Sequence, residues 1–379
     1  MLTNRYHHHI DKLVHLKDKL SFIYGHLVLQ AIALSMIGVF VPIYLYTIGF
    51  ELEKIFLFLF VQWVVFGGFS PLLARLINRI GIKEVIAIRT PLLIFNFYFL
   101  YILPHNALLQ RYIYLIAILE GVSSSLYTIS ITSLFAEHVG TKKQGQHTAK
   151  FLAFPRIASI LAPALGGYIA LTAGFPMLFL IVTILIFSSL IPILLIKENL
   201  NHPPYTSVAF NKFDTKEFVA LVGYGMRDIA LGLMLPLALY FYKSNSFSLG
   251  IIFSLTSLAG SILLIYLGKK MNLFGLKNLL HFGGIYTAAL FIAMGYLFDS
   301  YWIIILAVLF GFNTVYVAYE TRLYQLARTY RSPLEFIAFK EFSIFVGRTL
   351  YFIFLFLVTS GFDSAFYLGA LASIVFIFY

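Results

Sequence analysis

The chain has no cysteine in its 379 residues, which removes disulfides and thiolate metal sites together. It is also poor in charge: 11% of residues are Asp, Glu, Lys or Arg, against 60% hydrophobic, and mean hydropathy is +0.90. No soluble domain of this size combines so few charges with so much apolar surface, so soluble enzymes and soluble binding modules are excluded. Tryptophan is scarce, two residues beside 40 Phe and 25 Tyr, and many of those rings sit near the ends of apolar runs, where interfacial belts form. No GxxxxGK[ST] loop is present, which removes ATP as the driving force. HExxH is missing too, and no catalytic set of acids, bases or metal ligands stands out at one depth. Neither enzymatic activity, nor a metal, nor a cofactor is therefore expected. His7-His8-His9 reads as a mobile tail. The first twenty residues are polar, and no cleavable signal peptide is expected there.

What is present is a polytopic membrane protein. Twelve apolar segments run roughly 21–47, 54–77, 84–103, 111–136, 148–173, 175–196, 217–242, 248–268, 278–298, 301–326, 336–360 and 363–379. All but the last have the roughly 20 residues that a spanning helix needs, and β-barrel alternation is absent. The net charge of +11 sits in the short loops between these segments, which points to membrane topology and anionic lipid rather than to nucleic acid. Nineteen Lys and Arg fall on one side: Arg5, Lys12, Lys17 and Lys19; Arg75, Arg79 and Lys83; Lys142, Lys143 and Lys150; Lys197, Lys212 and Lys216; Lys269, Lys270 and Lys277; Arg322, Arg328 and Arg331. Only Lys54, Arg111 and Lys243 fall on the other, which predicts both termini in the cytoplasm of a multi-pass cell-membrane protein.

The polar connection 197–216 divides the chain into an N-terminal bundle, 1–196 with its cytoplasmic tail, and a C-terminal bundle, 217–379. The halves look alike. Pro42-Ile-Tyr-Leu-Tyr46 pairs with Pro236-Leu-Ala-Leu-Tyr240, and Ile80-Gly81-Ile82-Lys83 pairs with Phe274-Gly275-Leu276-Lys277 at the same offset. Tyr24-Gly25 and Tyr224-Gly225 open the first and seventh segments, and Gly121 and Gly311 hold matching points in the fourth and tenth. In the fifth segment Ala158, Ala162 and Gly166 recur every four residues, a smooth stripe that lets two membrane helices approach closely. Pro163 permits a bend there, and the stripe is expected to be a sliding contact between the two halves.

Together these features resemble the major facilitator superfamily over the whole chain. The loop Ala74-Arg-Leu-Ile-Asn78-Arg79-Ile-Gly81-Ile82-Lys83 is similar to the family pattern Gly-x-x-x-Asp-Arg-x-Gly-Arg/Lys-Arg/Lys. Arg79, Gly81 and Lys83 fit it, while Ala74, Asn78 and Ile82 depart. Ala158-x-x-x-Ala162-Pro163-x-x-Gly166-Gly167 resembles the helix-five signature of the drug-exporting antiporters, with alanine at the first two glycines. The resemblance implies an all-α fold of twelve transmembrane helices in two pseudo-symmetric six-helix bundles. It implies alternating access to a small-molecule site, with protons as the coupling ion and a monomer as the working unit. It places helices one, four, seven and ten around the cavity, two, five, eight and eleven beside it, and the other four outside. Helix four carries Ala117 and Glu120 before Gly121 where the exporter pattern has Arg-x-x-Gln-Gly, so the acid is moved rather than removed.

Ionisable groups inside a membrane are costly, so each is informative. Glu120, Arg227, Asp228 and Arg348 fall near mid-depth and, with His26, Gln30 and Asn313, are the expected substrate or proton sites. Asn78, Arg79, Gly81, Lys83, Arg156, Ala158, Ala162, Pro163, Gly166, Gly167, Glu320 and Glu341 are the expected structural or gating residues. Arg156, Glu341 and Arg348 are read as one inter-helix ion network; Glu341 and Arg348 are seven apart and share a face. Arg227 and Asp228, about 100° apart on a helix, should serve different neighbours. Arg89 lies close enough to its helix start to snorkel. Three functions remain in view: proton-coupled export of small amphipathic molecules, import or uniport of a nutrient or sugar, and a non-transporting receptor or lipid scramblase.

Overall fold

The computed structural model describes residues 22–38, 40–138, 144–195, 214–243, 246–297, 312–330, 332–357 and 362–378, and among these no strand occurs. His7–His9, Gly311, the first half of the tenth segment and most of 197–216 lie outside the described residues. The spans follow the apolar segments: α1 Phe22–Thr47, α2 Leu52–Gly68 with Ser70–Ile80, α3 Ile82–Ile102, α4 Tyr114–His138, α5 Gln144–Ala158 with Ala162–Thr172, and α6 Gly174–Leu194. The second half follows with α7 Thr215–Ile229 continuing to Lys243, α8 Ser246–Phe274, α9 Leu276–Leu297, α10 Phe312–Ala327, α11 Pro333–Leu357 and α12 Phe362–Ile374. Eight described helices are long and apolar enough to cross a membrane, nine with the bent pair of α2. α11 has the length but carries Glu335, Lys340, Glu341 and Arg348.

Several spans are broken, and the break in α1 is repeated in α7. α1 is interrupted at Gly38, with Pro42 in the first turn of its second part. α7 is interrupted by a π turn at Ala230–Met234, with Pro236 just beyond. A second π turn, Val64–Gly68, precedes the 53° bend of α2. The turn glycines Gly81 and Gly275 both have positive φ, 109° and 74°, a backbone that favours glycine at these tight α2–α3 and α8–α9 corners. The Tyr-Gly pairing is corrected, however. Gly25 packs on Pro192 of α6, whereas Gly225 packs on the backbone of α11 at Ile344; Gly223, against Ala372 of α12 and Val375 just beyond it, holds the place equivalent to Gly25.

Close approach at glycine fixes the helix pairs, because lipid supplies no hydrophobic drive and packing must. A Cβ on Gly166 would stand 2.0 Å from the Met36 carbonyl oxygen of α1, and one on Gly347 of α11 would stand 2.0 Å from the Val222 carbonyl oxygen of α7. Both contacts join equivalent helix pairs, α1–α5 and α7–α11, but at different depths: Met36 lies in the second half of α1 and Val222 in the first half of α7. The bundles meet along two seams. On the α5–α8 seam, Gly250 faces the Pro163 backbone, Gly268 faces Ala149, and Gly145 faces Met271. On the α2–α11 seam, Gly67 and Gly68 face Phe345, and Ser70 Oγ donates to the Ala338 carbonyl at 2.9 Å.

This overturns part of the stripe expectation. Ala162, Pro163, Gly166 and Gly167 are buried, but Ala158 is exposed, because turns at Ser159–Leu161 interrupt the helix and rotate its two parts. Gly166 packs within its own bundle; the contact between bundles runs through the Pro163–Ala164 backbone and through Gly145 and Ala149.

Candidate functional site

Between the bundles lies a cavity of about 350 Å³. α1 contributes Leu34, Ile37, Gly38, Val41 and Pro42; α2 contributes Phe58, Leu59, Gln62 and Trp63; α3 contributes Asn96, Phe97 and Leu100. Glu120 comes from α4, and Asp228, Ile229, Gly232 and Leu233 come from α7. The helix breaks make this space: Gly38 marks the gap in α1, and Gly232 sits in the π turn of α7 with open space where a side chain would be. Rings from both bundles meet on either side of it. Toward the end carrying Arg79, Lys83, Lys269 and Lys270, here the basic end, Phe135 stacks on Phe151 at 4.0 Å and meets Tyr324 at 4.9 Å. Toward the other end Phe60 meets Phe352 at 5.6 Å and Tyr46 meets Tyr240 at 6.4 Å.

Two carboxylates line the cavity, one from each bundle. Glu120 accepts from Asn96 Nδ2 at 2.6 Å and from Ser124 Oγ at 2.8 Å. Asp228 accepts from Arg348 Nη2 at 2.5 Å, a charge-assisted bond. The Arg348 guanidinium lies 3.8 Å from the centre of the Trp63 ring, so a cation of one bundle rests on an aromatic face of the other. Arg156 is its counterpart. It donates through Nη1 to Asn313 Oδ1 at 2.6 Å and lies 5.0 Å over Tyr316, both across the opposite seam on α10.

The expected single network of Arg156, Glu341 and Arg348 is therefore three separate ones. Glu341 does share the α11 side with Arg348, but its basic neighbour is Lys340 at 3.9 Å, one residue away. Lys340 in turn holds Glu320 of α10 at 2.9 and 3.0 Å, with every member buried. Arg227 turns away from the cavity as its spacing from Asp228 required, lying over the rings of Tyr224 and Phe376. His26 and Gln30 do not line the cavity either. His26 is fully buried with Nδ1 2.7 Å from the Ser189 carbonyl oxygen of α6, which makes it a packing histidine. Asn313 is buried on the α5–α10 contact instead of facing the space. In the first turn of α3, Lys83 Nζ donates to the Leu194 carbonyl at the end of α6 at 3.1 Å, a cation on a helix C-terminus. Arg79 is exposed and forms no ion pair among the described residues; Asn78 is half-buried beside it.

The sequence reading missed Arg89. Instead of snorkelling, it is 1% exposed and turned into the bundle. Its Nε donates to the Ser123 carbonyl at 3.3 Å, and its guanidinium lies 4.4 Å over Tyr127. With the Gln30 amide oriented to suit its neighbours, Gln30 oxygen accepts from Arg89 at 2.7 and 3.0 Å while its nitrogen donates to Ser189 Oγ at 3.2 Å. A signal was available: Asn96 lies seven residues beyond Arg89, so α3 has a polar face that a purely lipid-facing helix would not keep.

A cavity lined by both halves of a duplicated helical bundle, with ionisable groups at its walls and helix breaks beside it, is the arrangement of a two-bundle transporter fold. The family model for the Major Facilitator Superfamily matches residues 25–333, and the chain belongs to that superfamily. Solved structures agree on the fold. The human organic anion transporter MFSD10 (TETRAN) is similar with TM-score 0.68 at 13% identity, covering 96% of this chain and 99% of its own. FucP in the outward conformation has TM-score 0.71 at 11% identity, over 94% and 96%. A bacterial homologue of the iron transporter ferroportin, in an outward-facing state with soaked iron, has TM-score 0.70 at 16% identity, over 95% and 98%. No curated protein sequence matches the chain.

Proposed function

We propose that this protein is a proton-coupled exporter of small amphipathic molecules, working by alternating access with Glu120 as its principal proton carrier and Asp228 as the second. The observation that carries this reading is that Glu120 and Asp228, from opposite bundles, line one cavity. A carboxyl able to hold either a proton or a substrate, but not both, couples the two flows as the cavity changes sides. Arg348 on Trp63 and Arg156 on Asn313 tie the bundles together in the present state, and both contacts must part when the bundles rock. The charge asymmetry of the loops puts the basic end and both termini in the cytoplasm, where Lys83, Lys269 and Lys270 meet anionic lipid. The working unit is a monomer.

A second reading, sugar import, draws on the likeness to FucP, the E. coli fucose:proton symporter, but the mostly apolar walls favour an amphipathic cargo. Uptake and counterflow in proteoliposomes, with and without an imposed pH gradient, test both. Antiport predicts substrate accumulation opposite to the proton flow. Accumulation in the same direction as protons indicates import, gradient-insensitive equilibration a uniporter, and the lack of any flux a receptor or scramblase.

A further inference from the structure

We propose that the cargo of this cavity is a small monovalent organic cation with an apolar body, and that Glu120 holds its charge. This rests on the reading of the cavity as the transport site. Of the two carboxylates there, Asp228 is already matched by Arg348 at 2.5 Å. Glu120 has only neutral hydrogen-bond donors, Asn96 and Ser124; the buried Arg89 guanidinium acts on it through space, and it forms no ion pair among the described residues. A carboxylate in an enclosed, mostly apolar space is neutralised either by a proton or by a cation seated beside it. The wall around it fits the rest of such a molecule: Leu34, Ile37, Phe58, Leu59, Phe97 and Leu233.

Other cargoes fit less well. An anion finds no guanidinium on the cavity wall: Arg348, paired to Asp228 through Nη2 and seated on Trp63, and Arg89, held by Gln30, Ser123 and Tyr127, both lie outside the lining. A polyol would meet polar side-chain groups of Gln62, Trp63, Asn96, Glu120 and Asp228 alone, leaving most of its hydroxyls against carbon. A divalent metal requires several hard ligands, and no cluster of three His, Asp or Glu occurs among the described residues. The volume, about 350 Å³, is at the small end of the roughly 300–1,000 Å³ of ligand pockets. Charge balances in one step. The protonated carboxyl of Glu120 releases its proton to solvent, the cation takes that place, and the net charge of the cavity does not change.

The test uses benzyltrimethylammonium, its isosteric neutral carbon analogue neopentylbenzene, and benzenesulfonate. The quaternary cation has no proton of its own, so any proton released belongs to the protein. Trp302→Phe leaves Trp63, on the cavity wall, as the single fluorescent reporter. The proposal expects the cation to bind at least about tenfold tighter than its neutral isostere, benzenesulfonate not to bind, and about one proton to be released per cation in weakly buffered solution. Glu120→Gln should bring cation and isostere within about twofold of each other, while neutral binding survives. Equal binding of cation and isostere in the Trp302→Phe protein overturns the charge class but leaves the cavity as the site. If none of the three ligands changes Trp63 fluorescence while proteoliposomes transport the cation, the cavity reading falls, and this proposal with it.

Discussion

Gly166→Ala adds one methyl group where the structure has no room. The new Cβ would lie 2.0 Å from the Met36 carbonyl oxygen, 2.8 Å from its carbon and 3.0 Å from its Cα. Carbon–oxygen contacts of this type settle at roughly 3.3–3.6 Å, so α1 and α5 must part by about 1.3 Å. The atoms in the way are backbone, which cannot swing aside as a side chain would. Overpacking costs about 1–3 kcal/mol, and the separation also forfeits packing along two helices held by little else, so about 3 kcal/mol is expected. Gly250→Ala is the control. Its Cβ would meet the Pro163 oxygen at 2.4 Å and the Ala164 Cα at 2.9 Å, but this contact is between bundles, which can rotate apart. Gly166→Ala should therefore lower the thermal midpoint in detergent, with a larger loss for Gly166→Leu. Gly250→Ala should leave the midpoint close to wild type and speed thiol labelling of a cysteine at Ser254, which is 6% exposed on the same seam. A wild-type midpoint for Gly166→Ala, or equal destabilisation by both without faster labelling, would refute the assignment of one glycine to a bundle interior and the other to a seam.

Other outcomes are expected from the same geometry. In this cysteine-free chain, single cysteines at Asn201 and Asn245 should label from opposite sides of the membrane; labelling of both from outside would overturn the topology. Arg89→Leu strands the Gln30 oxygen in the bundle interior and should cost about 1–3 kcal/mol of stability by thermal unfolding. No loss there would mean that Arg89 does not hold α1, α3 and α4 together. A double-mutant cycle of Arg156→Leu with Asn313→Ala should show coupling of about 0.6–1.7 kcal/mol. Additive effects would remove the α5–α10 clasp.

The parts of the fold that were legible in the sequence are those set by length, composition and local backbone demand. Apolar length placed the spans, and the repeated Gly-x-Lys corner foretold Gly81 and Gly275, both with the positive φ that glycine adopts without strain. Membrane depth singled out Glu120 and Asp228, which the cavity unites. Helix rotation was not legible. Arg89 and a snorkelling arginine are identical in sequence, and only the neighbouring Ser123, Tyr127 and Gln30 distinguish them. The four-residue period of Ala158, Ala162 and Gly166 assumed one unbroken helix, an assumption that the turns at Ser159–Leu161 undo. The π turns at Val64–Gly68 and Ala230–Met234 shift the register of α2 and α7 without any composition of their own that marks them, apart from the Gly67-Gly68 pair. Pairing was the least visible. Arg348 had Asp228 and Glu120 at comparable depth and Glu341 on its own helix face, and it takes the one that the α7–α11 approach at Gly225 and Gly347 brings close.

The central claim is that Glu120 carries the proton whose movement drives transport. It is tested most directly by comparing exchange with gradient-driven accumulation of benzyltrimethylammonium in proteoliposomes containing Glu120→Gln. Glutamine keeps the shape and can still meet Asn96 and Ser124, but it cannot lose a proton. The account predicts that any residual exchange no longer depends on pH and that accumulation driven by a pH gradient is lost, with a smaller loss for Asp228→Asn. Undiminished proton-driven accumulation in both variants would contradict it.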